Sequence, residues 1–101
     1  MRGVYKEGEM NQCIRITFYI GEIKGFLDNF VQKYARKFDL QGVAHLMAEN
    51  QVRIVVCSNS ENIDNFIDKI YEASAKYKLD DIQMESFVRE KDFRGVFRVV
   101  M

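Results

Sequence analysis

Hydrophobic and polar positions change period several times along this chain, and the changes mark its elements. The run "QCIRITFYI" alternates strictly: Ile14, Ile16, Phe18 and Ile20 point one way, and Cys13, Arg15, Thr17 and Tyr19 the other. That is the pattern of a half-buried strand. In "GFLDNFVQKYARKFDL" the period lengthens. Phe26 or Leu27, then Phe30, Val31, Tyr34 and Phe38 recur at three- and four-residue steps, which predicts an amphipathic helix with Lys33, Arg36 and Lys37 on its wet side. "GVAHLMAENQVRIVVCS" reads as a hairpin turning near Glu49-Asn50-Gln51, where Asn50 tolerates the left-handed backbone region. Val52, Ile54 and Val56 share one face of its second strand.

Ser58 followed by Glu61 predicts a capping box, with Ser58 as N-cap of a second helix. That helix is expected to bury Ile63, Phe66, Ile67, Ile70 and Tyr71, with Ser74 and Tyr77 continuing the stripe. "LDDIQMESFV" then predicts a strand with Ile82 and Met84 inward, and "GVFRVV" a short last strand with Phe97 and Val99 inward. Residues 1–11 are polar and read as a flexible leader, which leaves residues 12–101 as one domain. The order strand, helix, strand, strand, helix, strand, strand predicts an α+β fold, a ferredoxin-like two-layer sandwich. Both helices cover one sheet face, and the other face is open.

Composition narrows the function classes. The chain has 101 residues, 48% of them apolar, which is enough for one modest core. Its 15 Lys and Arg balance its 15 Asp and Glu, so it lacks the positive field that nonspecific nucleic-acid binding needs. No apolar window approaches the length of a membrane helix, so neither nucleic acid nor membrane is expected as a partner. Cys13 and Cys57 are too few for a disulfide framework and point to reduced thiols in a cytoplasmic setting. Both fall on the open face, on neighbouring strands with His45 near them. His45 is the only histidine, and no Cys/His cluster suggests a metal. No cofactor is expected.

One stretch carries candidate chemistry. In "IGEIKGFLDNF" a strand ends, Gly21 and Gly25 stand four apart, and a helix begins. Backbone N–H groups in such a loop can cradle an anion such as phosphate or sulfate. The loop candidates are Gly21, Glu22, Ile23, Lys24, Gly25 and Phe26. Glu22 and Asp28 oppose an anion, so a simple strand-to-helix turn competes with that reading.

From Ile14 to Val100 the chain resembles the acylphosphatase family. The matching stretches are "GEIKGFLDNF", "LQGVAHL", "ENQVRIVVCS" and "FRV". The family cleaves carboxyl-phosphate bonds without a metal or a covalent intermediate. Loop amides and an arginine at the start of the first helix hold the phosphoryl oxygens, and an asparagine on the second strand orients water. The resemblance puts the arginine on Asn29, the asparagine on Leu46, the basic residue after the first glycine on Glu22, the glutamine on Lys24 and the aromatic before the arginine on Asp28. Asn29 offers a short neutral amide where arginine has a charged fork of donors, and Leu46 cannot hold water. The resemblance therefore implies a catalytically degenerate relative that serves as a small binding or interaction module. The alternative is a weakly active acylphosphatase that relies on Lys24 and Asn29.

Two further readings concern the sheet. "RGVFRVV" from Arg94 is similar to the basic-Gly-aromatic strand of RNA-binding sandwiches, but Val96 stands where a stacking ring belongs. The open face, which collects Arg15, Thr17, Tyr19, Val43, His45, Met47, Arg53, Val55, Cys57, Val96, Arg98 and Val100, is less polar than a freely solvated sheet. It is a candidate surface for self-association or a protein partner.

Overall fold

The computed structural model describes residues 12–88 and 96–100. β1 (Gln12–Ile20) leads through the glycine loop into helix α1 (Phe26–Val31 and Gln32–Lys37), and β2 (Gln41–Leu46) and β3 (Gln51–Ser58) form the hairpin. Helix α2 (Ser60–Tyr77), β4 (Leu79–Val88) and β5 (Phe97–Val100) complete the order. The sheet order is β4-β1-β3-β2-β5, with β2 and β5 parallel and every other neighbouring pair antiparallel. This is the two-layer α+β sandwich that the alternation of periods predicts. The leader, and Arg94 and Gly95 of the last motif, lie outside the described residues.

The core follows from the strand pattern. Ile14, Ile16, Phe18 and Ile20 meet Val52, Ile54 and Val56 beneath Phe26, Leu27, Val31, Phe66 and Ile70, all of them buried. Ile82, Met84, Phe97 and Val99 pack against this cluster from the outer strands. Each fully buried Ile, Leu, Val or Phe contributes about 1.5–3 kcal/mol of hydrophobic stabilisation.

Several expectations shift on contact with the structure. α1 has two parts: Phe26–Val31 is π-wound, and Gln32–Lys37 is α-helical. Phe26 and Leu27 are both buried, where the pattern offered one or the other. Asn59, not Ser58, caps α2, and its side-chain oxygen accepts from the Asn62 amide at 2.8 Å. Ser58 still belongs to β3, opposite Gln12, so the cap moves one residue on. In α2 the buried stripe is Ile63, Phe66, Ile70, Ala73 and Tyr77; Tyr71 is exposed, and Ser74 is replaced in the stripe by Ala73. The hairpin turns through Glu49 (φ 60°) and Asn50 (φ 64°), so two residues and not one take the left-handed region.

The largest correction concerns the cysteines. Cys13 and Cys57 sit directly opposite each other on β1 and β3, are buried, and form a disulfide across 44 residues of sequence. The expectation of reduced thiols read their number but not their register. His45 is not beside them: it faces Arg53, four residues along β3 and roughly 13 Å away. Closing a loop of this length restricts the unfolded chain, so reduction is expected to lower stability by about 2–4 kcal/mol. Urea titrations with and without dithiothreitol measure this, and coincident midpoints would refute it.

Candidate functional site

The loop between β1 and α1 is suspended from the end of α2. The Gly21 and Glu22 amides donate to the carbonyls of Lys78 and Tyr77, both at 2.9 Å. These carbonyls lie at the C-terminal, negative end of the helix, which does not favour an anion beside them. The Phe26 amide donates to the Ile23 carbonyl at 2.9 Å and closes a tight turn, in which Gly25 adopts φ +77°. Half of the six predicted loop amides are thus spent inside the protein. The consecutive amides of Ile23, Lys24 and Gly25 donate to no backbone group among the described residues.

Asn29 is exposed on the first turn of α1, and its amide nitrogen lies 3.5 Å from where a Cβ on Gly25 would stand. The side chain therefore leans over the loop. Glu22, Lys24 and Asp28 are all exposed around it. Leu46 ends β2 opposite Val52 and packs half-buried against the core. A contact that sequence reasoning missed is Lys78. It caps α2 in a left-handed conformation, and its Cβ is 2.9 Å from the Cβ position of Gly21. No sequence signal marks this contact, because it joins segments far apart in the chain.

The open sheet face is ordered in rows by the strand register. One row runs Phe87, Cys13, Cys57, Gln41; the next Glu85, Arg15, Val55, Val43, Arg98; the third Gln83, Thr17, Arg53, His45, Val100. Arg15 meets Glu85 at 3.4 Å and lies 5.2 Å from the centre of the Phe87 ring. The pair is exposed and contributes at most about 1 kcal/mol. The cysteines are covered and offer no free thiol to this face. Met47 lies just beyond the end of β2; Val96 lies just before β5, where its carbonyl accepts from the Gly42 amide at 2.9 Å and its side chain is exposed. Among the described residues no group of three His, Cys, Asp or Glu side chains could hold a metal ion. No helix among them is long and apolar enough to cross a membrane.

The sheet order and the glycine loop before the first helix define an α+β sandwich of the acylphosphatase type. The acylphosphatase family model matches residues 21–99, and the chain belongs to that family. Its structure is similar to the acylphosphatase of Bacillus subtilis, with a TM-score of 0.76 and 21% identity over 89% of this chain and 99% of that one. It is also similar to an acylphosphatase of Coxiella burnetii, with a TM-score of 0.74 and 26% identity over 93% and 96% of the two chains. Full-length HypF, crystallised in a phosphate- and nucleotide-bound form, contains a similar domain; the TM-score is 0.76 and the identity 26% over 89% of this chain and 12% of HypF. No curated protein matches in sequence.

Proposed function

We propose that this chain is an acylphosphatase-family domain without effective acyl-phosphate hydrolysis, acting as a small binding or interaction module. The reading is carried by Asn29 and Leu46, which the family resemblance puts at the positions that would grip the phosphoryl group and its water. Asn29 supplies no charge. Leu46 is an apolar side chain packed on the core edge, with no group to orient a nucleophile. The Phe26 amide, turned onto the Ile23 carbonyl, removes one further donor from the loop.

Binding in this reading uses the loop amides of Ile23, Lys24 and Gly25 for phosphate or sulfate, or the open sheet face for a second copy or a protein partner; nucleic acid has no part in it. Benzoyl phosphate hydrolysis tests the main statement. Turnover indistinguishable from the uncatalysed rate is expected, and turnover at the level of ordinary family members would overturn it. One observation favours the second reading, a weakly active acylphosphatase: three consecutive loop amides donate to no backbone group among the described residues, with Lys24 among them.

A further inference from the structure

A cavity of about 400 Å³ lies between α1 and α2, apart from the open sheet face. Its floor is aromatic. Phe30 lies 5.0 Å from Tyr34 and 5.7 Å from Tyr77, measured between ring centres. Its rims carry Lys33 from α1 and Lys69 and Lys76 from α2. The ammonium groups of Lys33, Lys37 and Lys69 all lie within 5.7 Å of the centre of the Tyr34 ring, and that of Lys76 lies 5.3 Å from the centre of the Tyr77 ring. Among the described residues, one of these four lysines has a carboxylate partner: Lys69 meets Glu72 at 3.2 Å. A chain of zero net charge has therefore gathered an excess of positive charge along a single groove.

We infer that this groove is a binding site for an organic polyphosphate bearing a planar ring. The volume falls in the range of small-molecule sites. Lys69 and Lys76 are seven residues apart, about 10.5 Å along the helix, so their backbone attachment points span a length that a chain of phosphates can follow. The aromatic floor gives a ring an apolar surface that inorganic phosphate would leave uncovered. Lysine is suited to the role because its ammonium meets phosphate as a mobile point charge and needs no fixed fork geometry. Asn29 stands at one end of the groove and also leans over the loop, so the two sites share a border but not their donors.

The test uses the whole chain, with ATP, tripolyphosphate and adenosine as probes in amide-detected NMR titrations at low salt. ATP is expected to saturate and to shift amides of α1 and α2 around Lys33, Lys69 and Lys76. Tripolyphosphate should bind several-fold more weakly, and adenosine more weakly still. Lys33→Gln with Lys76→Gln should weaken ATP at least about fivefold, and Glu72→Gln should tighten it, since it removes a carboxylate from the groove wall. All three substitutions are at solvent-facing helix positions, and far-UV circular dichroism checks that the variants fold. The inference is overturned if ATP does not saturate at millimolar concentration, if tripolyphosphate binds as tightly as ATP, if the lysine variant binds unchanged, or if the shifts stay on Ile23, Lys24 and Gly25. Benzoyl phosphate hydrolysis is a separate readout, so this site and the loop reading fail independently.

Discussion

Replacing Asn29 by arginine and Leu46 by asparagine together is expected to raise benzoyl phosphate hydrolysis by at least about 10²-fold over the wild type. A single charge-assisted donor that tightens in the transition state is worth about 10²–10³ in rate. Arginine at position 29 would start from a backbone that already aims its side chain at the loop, since the Asn29 amide lies 3.5 Å from the Cβ position of Gly25. Asparagine at position 46 would sit at the end of β2 with one side toward the core, so its amide gains a water only at some cost in burial. The gain should accordingly come with a loss of about 1–3 kcal/mol in stability, chiefly from the second substitution. Steady-state assays of the two single variants and the double variant measure the rate, and urea denaturation measures the loss. Wild-type turnover as fast as that of an active double variant would contradict the degenerate reading. A folded but inactive double variant would place the defect in the backbone, at the turn closed by Phe26 and Ile23.

Gly42→Ala is expected to be the most damaging small substitution, costing about 3–5 kcal/mol, a large share of what holds a domain of this size together. Gly42 lies in β2 opposite Val56 with φ +146°, and an added Cβ would run into the Val55 carbonyl oxygen, 2.9 Å from its carbon and 3.1 Å from the Val56 Cα. All three are backbone atoms of the central strand, which cannot rotate away. Gly25→Ala supplies the contrast. Its φ of +77° carries a penalty of about 1–2 kcal/mol, but the nearest atom is a side-chain amide at 3.5 Å, an ordinary contact. Chemical denaturation of both variants checks the difference, and equal losses would show that backbone angle, not the collision, sets the cost.

Much of the fold was legible because strands and helices here differ so clearly in period. The alternation of Ile14, Ile16, Phe18 and Ile20 is enough on its own to place β1 and its buried face. What stayed hidden depended on contacts between segments. Cys13 and Cys57 have a spacing of 44 residues that says nothing about pairing, and only the register of β1 against β3 brings them together. The bulky Tyr71 drew the α2 stripe off, because apolar size was read as burial while small Ala73 is the residue buried there. The π-wound start of α1 could not be read at all, since one wide turn leaves no mark in a hydrophobic pattern. At the candidate site, the glycines were visible. The engagement of Gly21 and Glu22 by the end of α2 was not, because it is backbone donating to backbone between segments far apart in the chain.

The aromatic column of α1 has an optical consequence. The chain contains no tryptophan, so its ultraviolet emission comes chiefly from its five tyrosines. Tyr34 and Tyr77 both border the groove between the helices, and each has an ammonium group close above its ring. A guest that draws those cations aside alters the surroundings of both fluorophores. The protein thus carries its own unlabelled gauge of whether that space is filled.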